Sequence, residues 1–168
     1  DKLPSVALVG YTNAGKSSLL NALTGSETFV ENKLFATLDP LTKKLPLNES
    51  AGALITDTVG FVSNLPHHLI DAFKSTLEEA VTADLLLLVL DSSDVEAEFQ
   101  YKTVCDVLEE IGATKNPRLI LLNKIDKNDD STQTLSALRL KFPEAICISA
   151  KEEIGFVELK DKIYELLY

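Results

Sequence analysis

The sequence predicts an α/β domain in three layers, a mostly parallel sheet of about six strands with helices on both faces. Three observations carry that prediction. Strand-length apolar runs alternate with stretches of helical period along nearly the whole chain of 168 residues. Leu85 to Leu90 is an unbroken apolar run, as a central strand buried on both faces requires. A glycine-containing turn, Gly10 to Gly15, lies between the first strand and the first helix.

Taken in order, Val6-Ala7-Leu8-Val9 reads as a buried strand that runs into Gly10. A helix from about Lys16 to Thr24 follows, and Gly25 closes it. Residues 26–42 lack clear periodicity, and a loop of that length usually carries function. Residues about 43–48 and 53–58 read as an antiparallel pair around a turn at Asn48-Glu49-Ser50. Pro66 suits the first turn of a helix to about Ala80, with Leu69, Ile70, Phe73 and Leu77 at helical spacing. Asp84 precedes the central strand. Ser92-Ser93-Asp94 can cap a helix from about 95 to 111, which ends at Gly112. Pro117 opens the strand Leu119–Leu122. A short helix over about 131–141, a strand Ala145–Ile148 and an amphipathic helix over about 154–167 complete the chain.

Apolar residues make up 45% and charged residues 25%, as in ordinary globular domains. The longest apolar run falls far short of the ~18–20 residues that cross a membrane. No signal peptide is visible, because Asp1-Lys2-Leu3-Pro4 leads straight into a core strand, and the native N-terminus is expected to lie elsewhere. Cys105 and Cys147 offer neither a disulfide framework nor metal spacing, so they read as buried free thiols suited to a reducing cytosol. A net charge of −10 argues against this domain alone gripping nucleic acid by its phosphates. The acidic residues are spread along predicted helices as solvated faces.

Gly10-Tyr11-Thr12-Asn13-Ala14-Gly15-Lys16-Ser17 matches G-x-x-x-x-G-K-[ST]. Glycines let the backbone curl until its N–H groups point inward at phosphate oxygens. The helix that starts near Lys16 adds the positive end of its dipole. Lys16 is placed to reach the β- and γ-phosphates and Ser17 to ligate Mg²⁺ through its hydroxyl, and Ser18 is counted with the nucleotide-binding residues. Chance would produce the four fixed positions in roughly one such chain in a hundred or fewer. The motif also follows a strand and opens a helix, which is its confirming context, so the fold expected is the three-layer P-loop NTPase fold.

Asn123-Lys124-Ile125-Asp126 sits at the end of the strand Leu119–Leu122. A carboxylate only accepts hydrogen bonds. Guanine offers it two adjacent donors, whereas adenine presents an acceptor and would leave Asp126 buried and unpaired. Lys124 can lay its alkyl stem over the base, and Asn123 can tie this loop to the phosphate loop. Ser149-Ala150-Lys151, at the end of the next strand, is expected to turn backbone N–H groups toward the guanine carbonyl.

Asp57-Thr58-Val59-Gly60 ends the strand Ala53–Thr56. Asp57 can hold a Mg²⁺-bound water, and the Gly60 N–H can meet the γ-phosphate. In the long loop Phe35-Ala36-Thr37-Leu38-Asp39-Pro40, the Thr37 hydroxyl can close over Mg²⁺. Mg²⁺ is thus assigned to Ser17, Thr37 and Asp57. Both loops would order around the γ-phosphate and relax once it leaves. A solvated turn is the bland alternative for each of these stretches, and their common position at strand ends outweighs it.

With these residues in hand, the chain resembles the GTPase domain of the HflX family, within the translation-factor-related class of P-loop GTPases. The matching stretches are G-Y-T-N-A-G-K-S-S-L-L-N-A-L-T from Gly10, L-F-A-T-L-D-P from Leu34 and D-T-V-G-F-V from Asp57, continuing into L-P-H-H-L-I-D-A-F-K-S-T-L-E-E from Leu65. The resemblance covers essentially all of residues 1–168 as one G domain. It implies a cytoplasmic, ribosome-associated GTPase that acts mainly on the large subunit. It also implies a further N-terminal domain, so this chain reads as an isolated fragment, expected to be monomeric. That other domain would carry most of the RNA contact.

Many small GTPases place a Gln directly after D-x-x-G to orient the attacking water. Phe61 stands there and cannot hydrogen-bond water, so slow intrinsic turnover is expected. Asn13 resembles the phosphate-loop Asn of GTPases that bind K⁺ beside the β/γ-phosphates. The alternative, a plain turn residue, stays open. The groups expected to act on the phosphates are Lys16, Asn13, Thr37 and Gly60. His67 and His68 are the only histidines; they read first as exposed side chains of a helical first turn, and the lesser alternative is that one of them approaches the attacking water. Three functions follow for weighing: a GTP hydrolase, a nucleotide-gated binding module in which hydrolysis is only a reset, and an ATP-using enzyme, which Asp126 speaks against.

Overall fold

The computed structural model describes residues 3–25, 41–58, 78, 80–127 and 134–168. Phe35 to Asp39, Val59, Gly60, Phe61, His67 and His68, and nearly all of the helix predicted from Pro66, lie outside them.

Six strands form one sheet in the order β2-β3-β1-β4-β5-β6. They are β1 Ser5–Gly10, β2 Leu41–Pro46, β3 Gly52–Asp57, β4 Leu85–Asp91, β5 Arg118–Asn123 and β6 Ile146–Cys147. Only β2 runs antiparallel, paired with β3 from Leu41↔Asp57 to Pro46↔Gly52. The other four pairings are parallel, so β1, β3, β4, β5 and β6 all end on one rim. The predicted hairpin holds with its strands one or two residues earlier than expected. The side chain of Asn48 accepts the Ser50 and Ala51 N–H groups at 2.9 and 2.8 Å, so the turn itself consumes residues that were read as strand.

Four helices are described: α1 Lys16–Thr24, α2 Ala97–Glu110, α3 Thr134–Lys141 and α4 Phe156–Leu167. Side chains alternate across the pleat, which separates two cores. Val6, Leu8, Leu87 and Val89 face Leu19 and Leu23 of α1 and Leu159 and Ile163 of α4. Ala7, Val9, Leu86 and Leu88 face Val104 and Leu108 of α2, while α3 adds Leu138 against Leu90 and Leu122. All six residues from Leu85 to Leu90 are at most 2% exposed. At about 1.5–3 kcal/mol for each fully buried side chain, this strand is the main anchor of both layers. The three-layer reading therefore stands.

Two local expectations change. Helix α2 starts at Ala97, and its N-cap, Glu96, makes no side-chain cap bond. Asp94, expected to cap, lies three residues ahead of Ala97 and accepts the Glu96 N–H on Oδ1 at 2.8 Å, while its Oδ2 reaches Asn13. Both cysteines are free but only half-buried rather than buried. Cys147 lies on β6, an edge strand with one open side, and Cys105 on α2 meets the Arg118 guanidinium at 3.7 Å. Burial still pushes the Cys147 thiol above its usual pKa; Arg139 opposes the shift and Glu158 adds to it. No helix among the described residues is long and apolar enough to cross a membrane.

Candidate functional site

The phosphate loop is built by two close approaches that only glycine permits. A Cβ on Gly10 would stand 2.5 Å from the Val89 carbonyl oxygen of the neighbouring strand. Gly15 has φ +90°, and a Cβ there would stand 2.7 Å from Nδ2 of Asn123. Between them Thr12–Ala14 make a 3₁₀ turn, closed by Ala14 N–H to Tyr11 O at 3.1 Å. Helix α1 begins directly at Lys16, so its unpaired first-turn N–H groups face the rim where an anion gains most. Ser18 is exposed on that turn.

Asp57 reaches this loop because β3 pairs with β1 in the register Leu8↔Asp57. Thr58 locks the same corner by donating its hydroxyl to Leu8 O at 2.7 Å. Lys16 is 5% exposed and Asp57 1%, and their Nζ and Oδ1 are 2.8 Å apart. Lys16 Nζ also donates to Thr58 O at 2.9 Å. Ser17 donates its hydroxyl to Asp57 Oδ2 at 2.8 Å. A hydroxyl and a carboxylate oxygen so spaced match two adjacent ligands of Mg²⁺, which lie about 2.9 Å apart in an octahedron with bonds of about 2.0–2.1 Å. No group of three or more His, Cys, Asp or Glu that could hold a metal occurs among the described residues.

The base-reading loop follows β5. Asn123 is 1% exposed and bridges three segments. Its Nδ2 donates to Ala14 O at 2.8 Å, and its Oδ1 accepts the Ala150 N–H at 3.0 Å. Lys124 adopts φ +63°, donates from Nζ to Asn13 O, and lies 3.4 Å from Asp91 Oδ2. A 3₁₀ turn, Ile125–Lys127, carries Asp126, whose Oδ1 accepts the Ser149 hydroxyl at 2.7 Å. Ser149 O accepts Ile154 N–H at 3.0 Å, and the return bond from Ser149 N–H is 3.1 Å, which folds residues 149–154 back over the end of β6. The structure therefore commits the N–H groups of Ser149 and Ala150 to protein acceptors. Of Ser149, Ala150 and Lys151, expected to offer N–H groups to guanine, Lys151 alone keeps its N–H clear of such a bond among the described residues.

Lys16 follows β1 and Asp126 follows β5, and only β4 separates those parallel strands. The two residues thus share one rim, with their strands roughly 10 Å apart across the sheet. Two acids missed by the motif reading join the site at the end of β4. Asp94 Oδ2 accepts Asn13 Nδ2 at 3.3 Å, and Asp91 faces Lys124. The available signal was an acid closing the strand that lies between the two loop-bearing strands, but strand order has to be known before that signal can be read.

Residues 5–124 match the family model described as 50S ribosome-binding GTPase. The GTPase HflX of Caldanaerobacter subterraneus subsp. tengcongensis is 48% identical over 168 residues, covering 100% of this chain and 38% of that protein. A GTP-binding protein from Sulfolobus solfataricus, solved with GDP, superposes with a TM-score of 0.73 at 34% identity, covering 98% of this chain and 52% of that one. An Era variant from Aquifex aeolicus bound to GDP·AlF4⁻ gives a TM-score of 0.73 at 26% identity, covering 100% of this chain and 58% of that one. The chain spans less than half the length of the curated HflX relatives that it matches.

Proposed function

Because this chain belongs to the 50S ribosome-binding GTPase family, we propose that it binds GTP with Mg²⁺ and hydrolyses it slowly to GDP and phosphate as a switch on the large ribosomal subunit. The observation that carries this reading is the Asn123 bridge, which ties the base-reading loop to the phosphate loop through Ala14 on one rim of the sheet.

Asp126, steadied on one oxygen by Ser149, accepts the two adjacent donors of guanine. The Lys124 stem covers the base. Lys16 turns its ammonium from Asp57 and Thr58 O to the β- and γ-phosphates, while α1 presents N–H groups to them. Ser17, Asp57 and Thr37 are the groups that would hold Mg²⁺. Bound there, the ion would neutralise charge on the phosphates. The Gly60 N–H meets the γ-phosphate, and Phe61 leaves the attacking water without a side-chain partner, so turnover alone is slow. Asn13 is the group offered to K⁺. The domain works in the cytosol as the nucleotide sensor of a longer protein. The acidic balance of −10 favours placing most RNA contact outside it.

The test is phosphate release with and without large ribosomal subunits, in K⁺ and in Na⁺. Acceleration by the subunits is expected, strongest in K⁺. Release that the subunits leave unchanged ends the switch reading, and equal rates in the two salts end the K⁺ assignment. GTP-dependent ribosome binding without accelerated release would point instead to a gated binding module.

A further inference from the structure

We propose that the loop after β4, Asp91-Ser92-Ser93-Asp94, is the positioning element of Asn13: Asp94 sets its side-chain amide, and Asp91 acts through Lys124 on its main chain. The inference rests on the GTP reading above and adds to it two residues which that reading does not use.

The bonds form a closed ring. Asp94 N–H donates to Asp91 O at 3.1 Å, which makes the loop one turn. Asp91 is 6% exposed; its Oδ1 accepts the Ser93 N–H at 2.9 Å and the Ser93 hydroxyl at 2.6 Å, and its Oδ2 lies 3.4 Å from Lys124 Nζ. Lys124 then donates to Asn13 O. Asp94 receives Glu96 N–H on Oδ1 at 2.8 Å, and on Oδ2 it receives Gln100 at 3.2 Å and Asn13 Nδ2 at 3.3 Å. One turn at the end of the central strand thus grips Asn13 by its main chain and by its side chain.

The chemistry of the partners fixes what the grip does. An ionised carboxylate has no donor, so Asn13 must offer Asp94 its NH₂ and turn its carbonyl oxygen away. Asp94 thereby holds the Asn13 oxygen as an acceptor for a cation or donor at the phosphates. Oδ1 of Asp94 is taken up by the Glu96 N–H at the start of α2, but that cap-like bond does not account for the reach of Oδ2 to Asn13. The buried Asp91 carboxylate needs a partner charge, and Lys124 supplies it. Lys124 also sits at φ +63°, a conformation that an L-residue keeps only where its surroundings hold it. The two acids therefore divide their work, Asp94 on the orientation of a reacting-side group and Asp91 on the seat of the base loop.

The experiment compares Asp94→Ala, Asp94→Glu and Asp91→Asn in steady-state GTP hydrolysis and in binding of GDP and of GDP·AlF4⁻. For Asp94→Ala, kcat is expected to fall about 10-fold or more, as for loss of an outer-shell group, with KM and the GDP Kd within about threefold. The affinity ratio of GDP·AlF4⁻ to GDP falls in parallel, and Asp94→Glu recovers part of both. Asp91→Asn is expected to show the opposite split, a weaker GDP Kd with kcat nearly kept. If Asp94→Ala keeps kcat within twofold, or loses GDP affinity as much as kcat, the inference is overturned while the GTP reading stands. Thermal melts separate unfolding from either result, and if Asp94→Ala does not fold, Asp94→Asn takes its place under the same criteria. Absence of GDP binding by the unsubstituted chain would overturn both.

Discussion

At the base end of the rim, Asn123 is held by Ala14 and Ala150, and Asp126 by Ser149, through hydrogen bonds whose groups need not move when a base arrives. At the phosphate end, Lys16 and Asp57 face each other as a buried ion pair, and the lysine must leave its partner to meet a phosphate. One end is set in advance, and the other is an exchange of partners. Binding energy at a preset site goes into discrimination, because a wrong base leaves a fixed acceptor unpaired. Binding energy at an exchanging site couples the ligand to whatever the released partner does next. The base end should therefore decide which nucleotide binds, and the phosphate end should report which phosphates it carries.

The largest expected effect tests the first half of that contrast. Asp126→Asn should weaken GTP by about 10⁴-fold and move preference toward xanthosine triphosphate, since a site built around hydrogen bonding rejects the mispaired ligand strongly. Competition against a fluescent-labelled GDP measures it. Unaltered GTP affinity would mean that the base end has been misplaced, and the comparison would lose one of its sides.

Next in size is the phosphate end. Lys16→Ala removes the ammonium from beside the buried Asp57 carboxylate, so unfolding free energy should fall by about 3–5 kcal/mol in urea titration, and Mg²⁺-nucleotide binding should weaken severely. A double change, Lys16→Met with Asp57→Leu, should restore much of the stability and none of the binding. Recovery of nucleotide affinity in the double variant would show that the pair is structural only and has no part in the exchange.

Gly15→Ala strikes the point where the two ends meet. Its φ of +90° strains any L-residue, and the new methyl would press at 2.7 Å on an Asn123 amide that its own two bonds hold in place. A loss of about 1–3 kcal/mol in stability is expected, together with weaker binding of both base and phosphates. If affinity survives with the stability lost, the ends are independent rather than braced against each other.

What the sequence makes legible follows the same division. The Gly10–Ser17 turn and Asn123-Lys124-Ile125-Asp126 are local: each fixes its ligand chemistry within a few residues at a strand end, so pattern and context suffice. The order β1-β4-β5 is tertiary, and with it come the roles of Asp91 and Asp94, which no local rule distinguishes from a helix cap. The half-buried state of Cys147 depends on β6 being an edge strand, a fact of sheet order as well. The Ala150 N–H was expected to serve the base directly, but Asn123 Oδ1 takes it, because a buried amide oxygen must find a donor within the protein. The switch residues Thr37 and Gly60 lie outside the described residues and keep only their sequence argument.

The smallest expected effect asks what holds the phosphate loop down while its lysine exchanges partners. Tyr11 belongs to that loop, yet it is 5% exposed, with its ring among Val9, Leu88 and Val104 in the core beneath α2. Its hydroxyl is buried and has no hydrogen-bond partner among the described residues. The anchor is then apolar packing, and the oxygen is a cost to it. Removing that oxygen removes a desolvated group without opening a cavity, so Tyr11→Phe should leave unfolding free energy unchanged or raise it by up to about 1 kcal/mol. GDP affinity should stay within about twofold. Tyr11→Ala, which removes the ring, should cost about 3–5 kcal/mol, as large aromatic truncations do. If Tyr11→Phe instead loses more than about 1 kcal/mol, the hydroxyl is hydrogen-bonded in solution, and the loop is pinned by the same kind of polar contact that fixes the base end.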